Sequence, residues 1–207
     1  MLVTVTVVTC NIRYMSKGKS QRREDLLDAA IEYLLNNGVA NLSLRPLAAG
    51  VGSKARLLIY HFGSKDALVA DAMLVVRNRV QSAFAAIVHN GEGLKSSQII
   101  TTFWKWATSA EHQQYLKLFF EVHGLALQKP AQYGSYLEGA VESWVELMTS
   151  TLPDHLSHKK RHGLATLAVG AVAGLLLDYL SSRNKARTSD AIAIFTRNFD
   201  AMVLSES

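Results

Sequence analysis

The sequence predicts an all-α protein. Proline occurs only three times in 207 residues. Apolar residues return at helical spacing along most of the chain, and capping or turn residues separate the runs. A strand-like pattern is confined to the first residues, where Leu2-Val3-Thr4-Val5-Thr6-Val7-Val8 is rich in β-branched side chains. That stretch lacks the basic start and small-residue cleavage site of a secretory signal. Met15, followed by Ser16-Lys17-Gly18-Lys19-Ser20, reads as the better natural start, so residues 1–19 are expected to be a disordered extension.

Each helix has its own signals. The first opens at Ser20 or Gln21 with Glu24 and Asp25 in its first turn, where acids favour the helix dipole. Leu26, Leu27, Ala30, Ile31, Leu34 and Leu35 follow, and Asn36-Asn37-Gly38 closes it. Ser43 is the expected N-cap of the second helix, with Pro46 in the first turn, where a missing N–H costs nothing. That helix runs to about Ala49, and Gly50-Val51-Gly52-Ser53 forms a turn. A third helix covers about 54–60, and Gly63-Ser64 breaks it and caps a fourth over about 65–88. The rest predicts helices over about 95–109, 112–128 (ending at Lys129-Pro130), 134–151, 155–182 and 189–204. The expected division is a head over 20–66 and a helical body over 67–207.

Charge separates the two parts. Residues 1–65 hold nine Lys or Arg against four acids, whereas residues 66–207 balance at thirteen of each sign. The whole excess of +5 therefore lies on the head, as expected of a segment facing phosphates. The only cysteine, Cys10, rules out an internal disulfide and fits a reducing cytoplasm. The best membrane candidate, Gly163 to Leu177, is uncharged for only 15 residues where a span needs about 20, so no membrane partner is expected. Phosphate loops, nucleophile elbows and Cys/His pairs are missing from the sequence, so no catalytic residue and no cofactor is predicted. His155, His158 and His162 share helical spacing, but Lys159, Lys160 and Arg161 surround them and repel cations. No metal is expected there.

The segment Ser43 to Lys65 carries the function. Two short helices joined by a glycine-containing turn form the layout of a helix-turn-helix, whose second helix enters the DNA major groove. Leu27, Ile31, Leu34, Leu47, Leu58 and Phe62 supply a small core, which leaves the start and outer face of the third helix free. Ser53, Lys54, Ala55, Arg56 and Leu57 are placed to meet base edges or adjacent phosphates. Arg56 is the candidate for a bidentate guanine contact. Arg45, Tyr60, His61 and Lys65 are expected on phosphates.

Over residues 22–70 the chain resembles the tetracycline-repressor (TetR) family of bacterial transcriptional regulators. The residues that carry this are Arg23, Leu27-x-Ala29-Ala30, Gly38, Leu44-x-x-Leu47-Ala48 and Gly50-Val51, then Leu58-Ile59-Tyr60-His61-Phe62-Gly63-Ser64-Lys65-Asp66-Ala67-Leu68. The family commonly writes that last block as Leu-Tyr-x-His/Tyr-Phe; here Ile59 takes the tyrosine slot and Tyr60 stands one place later.

The resemblance implies a homodimeric, ligand-responsive repressor on a near-palindromic double-stranded DNA operator. It also implies a pocket for a small, mostly apolar effector within the aromatic-rich helices. Candidates for that pocket are Phe103, Trp106, Phe119, His123, Trp144, Met148 and Leu176; Glu121 is a further group that could orient a ligand. Dimerisation is expected through the helices over about 155–182 and 189–204, with Gly170 and Gly174 allowing close backbone approach, although their apolar pattern alone equally permits a monomer core. The alternative is an all-α ligand carrier or enzyme whose basic head is an interaction module.

Overall fold

Helices supply the regular structure: the computed structural model describes residues 4–90 and 93–205, and no strand occurs among them. The chain divides into two units, Met1–Met73 and Leu74–Ser207, where the sequence placed the boundary between residues 66 and 67. Helix α4 (Lys65–Asn90) begins in the first unit and ends in the second. Its opening turns carry Leu68, Val69 and Met73, each at most 1% exposed.

In the first unit α1 runs from Thr4 to Asn37. The stretch expected to be disordered is therefore helical from residue 4, while residues 1–3 lie outside the described residues. No proline interrupts this run, and each residue added to a formed helix gains a hydrogen bond without a new nucleation step. The end of α1 at Asn37, just before Gly38, is as expected. Helix α2 (Leu44–Gly50) has Ser43 at its N-cap with extended backbone, but the side chain makes no capping bond. Helix α3 spans Ala55–Phe62 and stops at Gly63, whose φ of 79° lies in a region unfavourable to residues with a Cβ. The Ser64 hydroxyl then accepts from the Ala67 N–H at 3.0 Å, capping α4.

The six residues expected as the head core, Leu27, Ile31, Leu34, Leu47, Leu58 and Phe62, are all buried. Arg23 of α1 ties this core to its neighbours. Its guanidinium pairs with Asp71 on α4 and lies 4.8 Å from the centroid of the Phe62 ring. Gly50 closes against Tyr33: a Cβ built on it would stand 2.3 and 2.4 Å from two ring carbons. Gly50→Ala must push the half-buried Tyr33 ring off its seat. An expected loss of about 1–3 kcal/mol follows from such overpacking, checked as a lower urea midpoint with unchanged slope.

The second unit contains α5 (Ser96–Ala107), a 3-10 turn (Ala110–His112), α6 (Gln113–Gln128), α7 (Pro130–Leu137), α8 (Glu142–Thr149), α9 (His158–Ser182) and α10 (Lys185–Leu204). Helix α9 packs on α6, α8 and α10, while α10 also packs on α5 and α6 on α7. The single helix expected over 134–151 is two. Pro130 opens α7 at its first turn, where proline is favoured. Gly139 at φ 66° then separates α7 from α8.

Helix α9 is long and apolar enough to cross a membrane by length and composition, with 33% of its apolar window buried. The apolar residues of this helix are divided between two faces. Leu164, Ala168 and Tyr179 are buried within the unit, whereas Leu167 and Leu177 are 46% and 49% exposed.

Candidate functional site

The outer face of α3 and its approach carry the DNA-reading candidates. Arg45, Lys54, Arg56 and Tyr60 are exposed, and Ser53, Ala55, Leu57, His61 and Lys65 are half-buried. Leu58 and Phe62, on the same short helix, are 1% and 7% exposed. Helical geometry explains the division: the side that anchors on Leu58 and Phe62 leaves Arg56, Ile59 and Tyr60 pointing outward. Lys54 stands at the N-cap with extended backbone, φ −109° and ψ 142°. Arg45 joins it from α2. Tyr60 is 63% exposed and Ile59 40%, so the aromatic on this face is Tyr60, its ring edge-on to His61 at 5.1 Å.

Two of these residues sit differently from expectation. The Ser53 hydroxyl is buried with no partner, so it is not presented outward. Lys65 donates to the Leu42 carbonyl at 3.1 Å and lies 3.7 Å from the Asp66 carboxylate. Part of its charge is thus engaged within the head.

The second unit holds a cavity of about 290 Å³. Phe103, Phe119, His123, Trp144, Met148 and Leu176 from the expected set all line it. Trp106 does not: it lies in a separate cleft with Arg79, Val80, His112 and Tyr115, stacked 4.0 Å from His112 and 5.6 Å from Phe103. Glu121 is also outside the cavity wall. Phe84, Phe103 and Trp144 form an aromatic cluster on that wall, with centroids 5.2 to 6.2 Å apart.

Arg77 is the one Arg or Lys among the described wall residues, and it lies outside the expected set. Val76, Val80 and Phe84 also line the cavity, and their four-residue spacing on α4 was the available signal. Arg77 Nη1 donates to the carbonyls of Tyr136 and Glu138 at 3.4 and 3.5 Å, and its Nε has no partner. His123 is stacked on Phe119 at 5.7 Å and edge-on to Tyr136 at 6.1 Å. A histidine in this position would ordinarily be hydrogen-bonded within the core, yet its buried Nδ1 has no partner.

Burial pushes the Tyr136 hydroxyl from 10.0 up to about 12, with the positive charge of Arg77 opposing the shift. The buried hydroxyl is protonated at neutral pH and has no partner. A raised folded value means that the unfolded chain loses this proton first. Its contribution is therefore present below pH 10 and is lost as pH rises from about 10 towards about 12. Tyr136→Phe should flatten that alkaline decline. It should also leave neutral-pH stability unchanged or up to about 1 kcal/mol higher, because an unsatisfied buried hydroxyl is removed. Urea unfolding across pH measures both effects.

The three histidines do not form the expected single face. His155 precedes α9, His158 and His162 stack at 6.0 Å, and Glu142 accepts from or pairs with His162 Nε2 at 3.1 Å. An acid does stand there, but among the described residues no group of three or more His, Cys, Asp or Glu could hold a metal.

A helix-turn-helix head with an outward basic helix is followed along the chain by a helical body enclosing a cavity. Residues 26–72 match the family described as bacterial regulatory proteins, tetR family. Solved structures share the fold over most of their length. A transcriptional regulator from Rhodococcus sp. Rha1 is 13% identical with a TM-score of 0.68, covering 87% of this chain and 93% of that one. Salmonella enterica GusR is 17% identical with a TM-score of 0.65, covering 86% and 94%. The multidrug binding protein EbrR, solved with ethidium, is 22% identical with a TM-score of 0.66, covering 85% and 96%. No curated protein sequence matches the chain. The match to the tetR family covers residues 26–72 of the N-terminal unit, and the solved structures show that the chain as a whole shares their fold.

Proposed function

We propose that this protein is a ligand-responsive repressor that binds a near-palindromic operator as a homodimer, acting by binding and not by catalysis, in the cytoplasm. The observation that carries the reading is a largely apolar cavity of about 290 Å³ in a chain that also presents Arg56 on an outward helix. The EbrR neighbours solved with imidazole, ethidium and malachite green support a ligand-binding role for such a body. In this reading Arg56 reads a base, Lys54, Arg45, Tyr60 and His61 position the backbone, and Ala55 and Leu57 make close contacts. Ser53 and Lys65 contribute mainly to the local fold.

The dimer reading has its own support. On α9 the exposed positions Gly163, Leu167, Gly170, Gly174 and Leu177 recur at spacings of four and three, the pattern of a helix seam. On α10 Asp190, Ile194, Arg197, Ala201 and Leu204 repeat it. A Cβ at Gly163, Gly170 or Gly174 would meet nothing within the subunit, so their small size serves no packing there. A second copy crossing at these glycines would bury Leu167 and Leu177 of α9 and Ile194, Ala201 and Leu204 of α10. Gly170→Trp should leave the subunit folded yet shift it to a monomer in sedimentation. An unchanged dimer would refute the seam.

The effector would act by population shift. It would favour a conformer whose heads do not fit both half-sites, by an amount set by its differential affinity for the two states. Helix α4, continuous from one unit into the other, is the proposed coupling element. Footprinting upstream of the protein's own gene, with and without ligand, tests the reading. Protection of two half-sites one helical turn apart, lost on ligand addition, is the expected result. Protection that no ligand relieves would remove the sensor half.

A further inference from the structure

We propose that the cavity's ligand is an apolar organic acid, with a body of about two rings and one carboxylate that pairs with Arg77. The inference rests on reading the cavity as a ligand site, and it specifies the chemistry that site would select.

Size sets the body. A cavity of about 150 Å³ accepts a benzene ring, and this one is about 290 Å³. Two fused rings, or a ring with a short chain, match that space. The wall is mainly aromatic and aliphatic, from Phe84 and Phe103 to Trp144 and Leu176, which suits a flat apolar body.

Charge sets the head group. Among the described residues Arg77 lines the cavity, and no Asp or Glu does. A guanidinium stays ionised at every physiological pH. Its recorded bonds, at 3.4 and 3.5 Å to two backbone carbonyls, are longer than the usual range of about 2.7–3.2 Å. Its Nε has no partner. A cation held this way gains most from a carboxylate, whose two oxygens match the guanidinium fork. A cationic ligand would set two like charges close together in a poorly screened space.

The surrounding polar atoms point the same way. Six buried side-chain polar atoms are without partners among the described residues, and three of them are Arg77 Nε, His123 Nδ1 and the Tyr136 hydroxyl. These three belong to one cluster: Arg77 donates to the Tyr136 carbonyl, and the Tyr136 ring lies 6.1 Å from that of His123. Native interiors leave few such atoms unsatisfied. Two of the three residues, Arg77 and His123, line the cavity, with Tyr136 behind them, and they mark where a polar head group would lodge, the apolar body extending along Phe84, Phe103 and Trp144.

The test titrates the purified full-length chain with 2-naphthoate, 2-naphthamide and 2-naphthylmethylammonium at neutral pH. These share one body and differ in head-group charge. Binding is read by calorimetry and by fluorescence of Trp144, which lines the cavity. Naphthoate should bind at least about tenfold more tightly than the amide, the ratio expected of one charge-assisted hydrogen-bonded pair, and the ammonium should bind most weakly. Arg77→Met should abolish the preference while amide binding persists, and Arg77→Lys should keep part of it. Val172→Trp, which fills the cavity, should remove binding of all three with helical content unchanged. Equal affinity for the three head groups, or a preference that survives Arg77→Met, overturns the acid inference and leaves the ligand-sensing reading standing. Failure of all three to bind at millimolar concentration overturns both.

Discussion

Arg56→Ala is expected to weaken binding to the operator by roughly 5- to 150-fold per half-site, the range for losing one bidentate base contact of about 1–3 kcal/mol. The side chain is exposed on α3, and its helix is anchored from the other side by Leu58 and Phe62. The substitution should therefore leave the head folded. Its mark is selective: affinity for a scrambled duplex should barely change, so discrimination collapses toward the non-specific level. Arg45→Ala and Lys54→Ala should behave differently. As phosphate contacts, each should weaken binding about equally on any sequence and lower the salt slope by roughly one unit. Fluorescence anisotropy at several salt concentrations, on operator and scrambled DNA, separates the two kinds of residue. Unchanged discrimination in Arg56→Ala would falsify its assignment as the base reader.

Leu58→Ala should have the largest effect on stability. Leu58 is 1% exposed, and Leu34 and Leu47 of the same unit are fully buried. Truncating a buried leucine costs about 2–5 kcal/mol, and whole domains are stable by only about 5–15 kcal/mol. The first unit spans Met1–Met73, and a core that small lies near the lower end of this range. DNA binding at 37 °C should be lost for every sequence, together with a large drop in the unfolding midpoint of the head. Ile59→Ala, one residue along at 40% exposure, should shift stability by less than about 0.5 kcal/mol. Comparable destabilisation by the two would mean that α3 is anchored by a different face from the one described. Specific binding retained by Leu58→Ala would carry the same message.

The head was legible because several local signals agreed. Helical periodicity in α1, Pro46 in a first turn, Gly63-Ser64 as a stop followed by a cap, and six apolar residues at consistent spacing all specified one arrangement. Each of the six proved buried. Of the pocket candidates that the family resemblance implied, Phe103 and Phe119 are among those that line the cavity. Trp106, three residues from Phe103, faces a different cleft, because neighbouring positions on a helix can face different spaces. Arg77 stayed outside the expected set because an arginine two residues from Arg79 and next to Asn78 gives no local sign of facing a cavity. Only the position of α7, bringing the Tyr136 and Glu138 carbonyls to its Nη1, shows that it is held in the wall.

What the sequence determined by itself was the helical class, the basic head and the inward core of that head, because each depends on residues close together in the chain. Tertiary structure alone decided the Gly139 break between α7 and α8, the division of α9 into a buried and an exposed apolar face, and the gathering of Arg77, His123 and Tyr136. Apolar spacing tells which side of a helix is hydrophobic. It does not tell whether that side meets core, cavity or solvent, since that depends on helices packed from distant parts of the chain.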